Sequence, residues 1–450
     1  MKFNKKIVAG LMSMAMLLTA CGKGSNNDSV SSDNASVVEN GLKGEITVQA
    51  EKEWVDYYQA AAKRVMDNNP DAKIDIVEVS SFDNLDTLDT TDPTNEDVPD
   101  VFSIPLDRVY GLVEKDALSA VNSEAIAKTV GGFENFDDGI GGAFKIADKE
   151  GNEEYFAFPM SIECLIVYEN KANASDKSID LEKPAEFMDF KNNEITIPVF
   201  DAWYGVSLLN SAGIELLTKT DDGKFESDFT KEWKDLEPDK QKVVEALYDY
   251  WKVNDDKGTS LFDSDAGYAY TDEAFTTGNE AVYRVGGAWD YNAIASLTND
   301  GKDLQIAPLS QITVNGNPLK HWKGGWGYAI NVRNEGDEDK MNLCQAMIAE
   351  LANPDYFEDF FTKTGKIMEN VKAEDYEASS LPDSDKETIK YTIESYNDAE
   401  ARPLFTEYGQ VWDTYKNAVL SWNSTKPASA EEAYGDLKAS FDSMMSNIGK

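Results

Sequence analysis

Residues 98–118 read VPDVFSIPLDRVYGLVEKDAL, and this stretch decides the fold class. Val98 to Ile104 is a short β-rich run, Pro105 follows it, and a helical stretch begins at Val109. Between strand and helix stands one charged pair, Asp107-Arg108. A strand that feeds a helix through a short polar turn is one link of an alternating α/β chain. In open sheets of that kind ligands bind beyond the carboxyl ends of the strands, which is where Asp107 and Arg108 stand.

The same alternation extends to both sides. Toward the N-terminus, Ile46, Val48 and Ala50 alternate with polar residues and predict a strand ending near Glu51-Lys52. Trp54, Tyr58, Ala61 and Val65 fall at helical spacing, Asn68-Asn69-Pro70 breaks that helix, and Lys73 to Val79 supplies a second β-rich run. These pieces make a βαβ unit and predict a mainly parallel sheet. Toward the C-terminus, Tyr155 to Phe158 predicts a strand broken at Pro159. Ile162 to Tyr168 is an apolar run carrying one charge, Glu163. A second α/β unit starts at Ile195–Val199 and ends in Asp201-Ala202-Trp203-Tyr204, with Val206, Leu208, Leu209 and Ile214 on the helix after it. Another strand, Glu280 to Val285, runs into Gly286-Gly287-Ala288-Trp289-Asp290. Gly324, Gly325 and Gly327 surround Trp326 before a strand at Tyr328 to Val332, and Met341, Cys344, Met347, Ile348 and Leu351 form one helix face. From about Tyr376 the pattern is helical, with Leu404, Tyr408, Val411 and Trp412 in one segment.

Composition narrows the function. Of 450 residues, 83 are Asp or Glu against 42 Lys or Arg, a formal charge of -41, while 41% hydrophobic and 11% aromatic content argues against disorder. Such a chain repels phosphate backbones and has only Arg64, Arg108, Arg284, Arg333 and Arg402 as guanidinium forks, which excludes nucleic acid as a partner. Neutral or cationic small molecules remain. His321 is the sole histidine, so no Cys/His metal spacing exists and no Ser-His or Cys-His arrangement is possible except one built on it. Asp263-Ser-Asp265-Ala-Gly267 is only a fragment of a calcium-loop pattern. Cys164 and Cys344 sit far apart inside apolar segments and read as buried thiols.

The N-terminus reads as an export address. Lys2, Lys5 and Lys6 precede a mostly apolar run from Ile7 to Ala20 that is too short to span a bilayer comfortably. Leu18-Thr19-Ala20-Cys21-Gly22 resembles the bacterial lipobox, in which the cysteine becomes a lipidated N-terminus. Residues 22–40, rich in Ser, Asn and Asp, read as a flexible tether.

Four stretches together resemble the extracellular solute-binding proteins of ABC sugar importers, the maltose/maltodextrin-binding branch in particular. They are Val98–Phe102 with Asp107–Leu118; Tyr155–Pro159 through Glu163 to Lys171; Ala274–Ala281 with Gly287-Ala288-Trp289; and Ala307-Pro308-Leu309 with Gly324–Ile330 and Phe360-Phe361 to Gly365. The resemblance implies a two-lobed periplasmic-binding-protein-like α/β fold (type II), hinge-linked, with ligand in the interlobe cleft. It implies a signal peptide at 1–20, a lipidated Cys21 and tether at 21–40, lobe one at 41–162 plus 326–372, and lobe two at 166–320 plus 376–450. It also implies capture of a neutral oligosaccharide, malto-oligosaccharides first, by a monomer that needs no cofactor or metal, catalyses nothing and serves ABC permease subunits at the cell membrane.

The ligand set follows from the same resemblance. Asp107, Arg108 and Glu163 would hold hydroxyls, Trp289 and Trp412 would stack on sugar rings, and Trp203 or Tyr204 occupies the place of another family aromatic. Trp326 would form a cleft wall or a hinge plug. Glu51 and Lys52 are assigned by strand-end alignment alone. Ile104 stands where maltose binders commonly carry a Trp. The chemistry suits a sugar, since carboxylates accept from hydroxyls, Arg and Lys donate to them, and aromatic rings cover the apolar face of the pyranose. Core roles for Glu163, Trp289 and Trp412 stand beside the cleft roles. A different oligosaccharide, a polyamine held by converging carboxylates, or a glycosidase with paired acids are the rival functions.

Overall fold

The computed structural model describes residues 37–190 and 192–448. The export segment, Cys21 and the tether up to residue 36 lie outside them. Alternation makes Lys43–Ala50 (β1) a half-buried strand with Ile46, Val48 and Ala50 inward. Val55–Asn68 (α1) buries Tyr57, Tyr58, Ala61, Ala62 and Val65 and stops ahead of Pro70, where Asp71–Glu78 (β2) begins and runs parallel to β1 in full register. Ser80 caps Ser81–Thr90 (α2) by accepting from the Asp83 N–H. The wholly buried Val101–Pro105 (β3) then lies parallel on the other side of β1, and Val109–Glu114 (α3) and Leu118–Ser119 (β4) follow.

Phe158–Glu163 (β5) and Leu165–Asn170 (β6) form one extended run interrupted at Cys164, and the run serves two different sheets. The second sheet adds Ile195–Thr196 (β7), Tyr283–Gly287 (β8) and Leu304–Pro308 (β9), with Ala202–Leu209 (α4) after β7. The chain returns to the first sheet as Gly324–Asn331 (β10) and continues as Glu338–Leu351 (α5). Asp383–Asn397 (α6), Gly409–Thr425 (α7) and Ala430–Asn447 (α8) complete it. The first sheet has six strands in the order β2-β1-β3-β10-β4, with β5 also paired to β10. The second has four, in the order β7-β8-β6-β9.

Two expectations need correction. The sheets are mixed, not mainly parallel: β10 runs antiparallel to β3, β4 and β5, and β6 antiparallel to β8 and β9. The strands that cross between sheets enter each one from the far side, so no βαβ connection sets their direction. Pro159 also does not end its strand. It lies opposite Gly327, where the register of the β5–β10 ladder shifts and the missing N–H costs little.

Each sheet is covered on both faces. On the first, Ile46, Val48, Tyr58, Leu343, Met347 and Phe360 share one core, and Phe102, Ile104, Leu112 and Phe144 another. Along β6 the period of two sends Leu165 and Val167 into a large core with Val206, Trp251 and Trp422, and Ile166 and Tyr168 into a smaller one with Phe275 and Ile306. Helix α6 belongs to both halves, since Ile389 packs in the first sheet's core and Tyr391 against the second's. Cys164 and Cys344 are free and buried, as their apolar settings predict, and burial raises both thiol pKa values. The Asp263 carboxylate accepts from the N–H groups of Asp265 and Ala266, and among the described residues no cluster of His, Cys, Asp and Glu has metal-binding geometry.

Candidate binding cleft

Between the two sheets lies a cleft of about 1030 Å³, large enough for several sugar rings or a ligand of similar bulk. The ends of the sheet strands supply part of its walls. Glu51 follows β1, Pro105 ends β3 with Asp107 and Arg108 just after it, Glu163 closes β5, and Ala288 and Trp289 follow β8. The stretch Phe361 to Lys366 and the C-terminal residues Asp385, Arg402 and Trp412 also line it.

A buried ion pair forms the floor. Glu163 Oε2 accepts from Lys366 Nζ and from Trp326 Nε1, both at 2.8 Å. Burial pushes the Glu163 carboxyl up, but the Lys366 charge and these hydrogen bonds outweigh it and hold the group ionised below the usual carboxylate range. The Lys366 ammonium also lies 4.7 Å from the Trp326 ring centroid and 5.6 Å from that of Trp289. A second pair crosses the cleft, with Arg402 Nη2 at 2.9 Å from Asp107 Oδ1 and the guanidinium over the rings of Trp203 and Trp412. Arg108 pairs with Asp89.

Close approach of backbone to aromatic rings explains the local glycines. A Cβ on Gly287 would stand 2.2 Å from the Trp289 ring, and one on Gly324 would stand 2.9 Å from Trp203. His321 is fully buried behind Trp203. Its Nε2 faces the Trp203 carbonyl at 2.7 Å and its Nδ1 the Trp322 carbonyl at 3.1 Å, while burial lowers its pKa to about 4 and keeps the ring neutral at pH 7. It supports the wall and touches no nucleophile.

Glu51, Asp107, Arg108, Glu163, Trp203, Trp289, Trp326 and Trp412 therefore converge on one cleft. Lys52 and Tyr204 do not line it. Lys52 is an exposed residue of a short 3-10 turn, and Tyr204 packs edge-on to Tyr268 with a ring separation of 6.1 Å. Sequence reasoning missed Trp54, Phe82, Asp201, Tyr291, Lys366 and Arg402. Phe82 is 58% exposed and meets Trp326 edge-to-face at 5.6 Å. Lys366 directly follows the Phe360–Gly365 motif and stands alone before Ile367 and Met368, which was the available signal.

Residues 55–388 match the model of the bacterial extracellular solute-binding protein family. The chain belongs to that family. No curated protein matches the sequence. Several solved solute-binding proteins share the fold. The maltose-binding periplasmic protein of Listeria monocytogenes, solved in complex with maltose, is 19% identical with a TM-score of 0.65, and the match covers 90% of this chain and 99% of that one. MalX of Streptococcus pneumoniae, in complex with maltopentaose, is 18% identical with a TM-score of 0.64, covering 88% and 99%. The GacH receptor of Streptomyces glaucescens, solved unliganded and with acarbose, is 17% identical with a TM-score of 0.67, covering 90% and 99%. The two-lobed α/β architecture and the solute-binding role are thus those of an extracellular solute-binding protein. No helix among the described residues is long and apolar enough to cross a membrane.

Proposed function

We propose that this protein captures neutral oligosaccharides, malto-oligosaccharides first, and delivers them to the permease of an ABC importer without catalysing any reaction. The observation that carries the reading is the state of the carboxylates in the aromatic cleft. Glu163 is paired with Lys366 and Asp107 with Arg402. Asp201 accepts from the Trp203 N–H and the Tyr268 hydroxyl, and Glu51 accepts from the Ser81 N–H at 2.7 Å. Ion pairing balances Glu163 and Asp107 inside the protein, Glu51 and Asp201 accept from neutral donors, and the lone pairs that these acids keep suit hydroxyl donors. The exposed faces of Trp289 and Phe82 suit the apolar side of a pyranose. Structural neighbours solved with maltose, maltopentaose and acarbose support the same ligand class.

In this reading residues 41–162 with 326–372 form one lobe and 166–320 with 376–450 the other. Ligand favours the closed arrangement by differential affinity, and lipid on Cys21 holds the monomer at the cell surface. Titration calorimetry of the mature chain with maltose, maltotriose and maltotetraose tests it: binding is expected, with little change between 0.05 and 0.5 M salt. Absence of heat with every neutral glycan, or steeply salt-dependent binding of spermidine instead, overturns it.

A further inference from the structure

We infer that the Asp107–Arg402 ion pair is an interlobe clasp, a contact within the chain that favours the closed arrangement of the two lobes and so sets how firmly the cleft holds its solute. The inference rests on the hinged two-lobe reading and adds a device that the protein supplies independently of its ligand. Three observations carry it.

The pair joins elements of different cores. Asp107 stands between Leu106 and Val109, both buried with Phe102 and Ile104 in a core of the first sheet. The Arg402 guanidinium lies 5.1 Å from the ring centroid of Trp203 and 5.6 Å from that of Trp412, and both rings pack on the large core of the second sheet. The contact of 2.9 Å from Nη2 to Asp107 Oδ1 therefore bridges the cleft. Second, both charges are enclosed, with 6% of the Arg402 side chain and 15% of the Asp107 side chain exposed. The charges beside them are engaged elsewhere, Arg108 with Asp89 and Glu163 with Lys366. Third, the two halves approach at another place. A Cβ on Gly365, which follows Phe360 and Phe361 of the first sheet's core, would stand 3.6 Å from the Cα of Trp289, the residue that follows β8 of the second sheet.

A hinge motion that parts the sheets returns both charges to water, and closure strips water from both. A buried charge that has lost its partner costs far more than the pair does. Closure is therefore favoured when guanidinium and carboxylate meet and opposed when one stands alone. Removing either partner penalises the closed form and leaves the hydrated open form almost unchanged, whereas removing both lifts the penalty. Because apparent affinity scales with the fraction of chain able to close, the same pair tunes how tightly solute is held.

The test uses the full mature chain without ligand, as wild type, Arg402→Met, Asp107→Asn, the double variant and Arg402→Lys, with radius of gyration measured by small-angle X-ray scattering and folding confirmed by circular dichroism. Each single neutral variant is expected to show a larger radius than wild type, the open-to-closed ratio rising about tenfold or more. Arg402→Lys, which keeps the charge, and the double variant, which has neither charge, are expected to return toward the wild-type radius. A residue that serves only fold stability does not move the dimensions of a folded chain in this pattern. If one single variant does not fold, the other and the double variant carry the comparison. Equal radii in wild type and the single variants, or a double variant as expanded as the singles, overturns the inference. Maltotriose calorimetry on the same chains separates the two readings. No heat with wild type alongside the expected radii removes the oligosaccharide and leaves the clasp, while binding by wild type alongside equal radii removes the clasp alone.

Discussion

Replacing Lys366 by Met should expose how much of the cleft floor depends on one charge. In the native chain the Glu163 carboxylate is held by two donors at 2.8 Å, and Lys366 supplies the only full positive charge among them. The side chains of the pair are 12% and 9% exposed, so water cannot replace the ammonium fully. Removing one partner of a buried pair costs about 3–5 kcal/mol, whereas replacing both by neutral groups of similar volume is close to neutral. Lys366→Met is therefore expected to lose about 3 kcal/mol or more at pH 7.5, and the double variant Glu163→Gln/Lys366→Met to recover most of it. The pH dependence changes sign between the chains. In the wild type the carboxyl is held below its ordinary 4.5, so the pair's contribution is present above that value and is lost as pH falls through the lower native one. In Lys366→Met burial is opposed only by the Trp326 hydrogen bond and the more distant Arg402 charge, so the native pKa rises and the deficit against wild type shrinks as pH is lowered toward 5. Urea unfolding followed by circular dichroism at pH 7.5 and pH 5 measures both effects. A single variant within about 1 kcal/mol of wild type at pH 7.5, or a double variant no better than the single, would refute the argument.

Other consequences are equally measurable. Asp100 accepts from the Thr47 N–H at 2.7 Å and from Arg333 Nη2 at 2.8 Å, so Asp100→Asn should lower stability by about 2 kcal/mol in urea titrations. Burial works against its ionisation, but these donors prevail and lower its pKa, so that loss should fade as acid protonates the wild-type carboxyl. Gly205→Ala places a Cβ 2.7 Å from the Val199 carbonyl and 2.6 Å from the Tyr415 hydroxyl, and calorimetric melting should reveal a cost of about 1–3 kcal/mol. Phe82→Ala should leave stability within about 0.5 kcal/mol because the ring is largely exposed, yet weaken maltotriose binding several-fold. Lys52→Ala, outside the cleft wall, should bind as wild type does; the same calorimetric titration reads both.

Local patterns carried the reading as far as local forces act. The alternation of Ile46, Val48 and Ala50, the helical spacing after Trp54 and the charged turn at Asp107-Arg108 reflect strand and helix periods, and all three hold in the structure. Strand direction did not follow, because β6 and β10 take theirs from sheets on the far side of a crossing. Apart from Trp412 on α7, the cleft residues found from sequence sit near strand ends or inside motifs. Among those missed, Phe82 and Arg402 reach the cleft only through tertiary folding, Phe82 from the start of α2 and Arg402 from the segment after α6. Scarcity was the signal left unused for Arg402, one of very few arginines in a strongly acidic chain.

The crossing at Cys164 has a consequence for the order in which this chain can be assembled. β5 finds its partner in β10, about 160 residues downstream, and β3 completes its pairing with the same late strand. A ribosome must therefore finish nearly three quarters of the sequence before the first sheet can close, and until then its apolar edge strands stay unpaired. Contacts so distant along the chain make for slow folding. Delay of that kind is tolerable, even useful, in a polypeptide that has to remain threadable after synthesis.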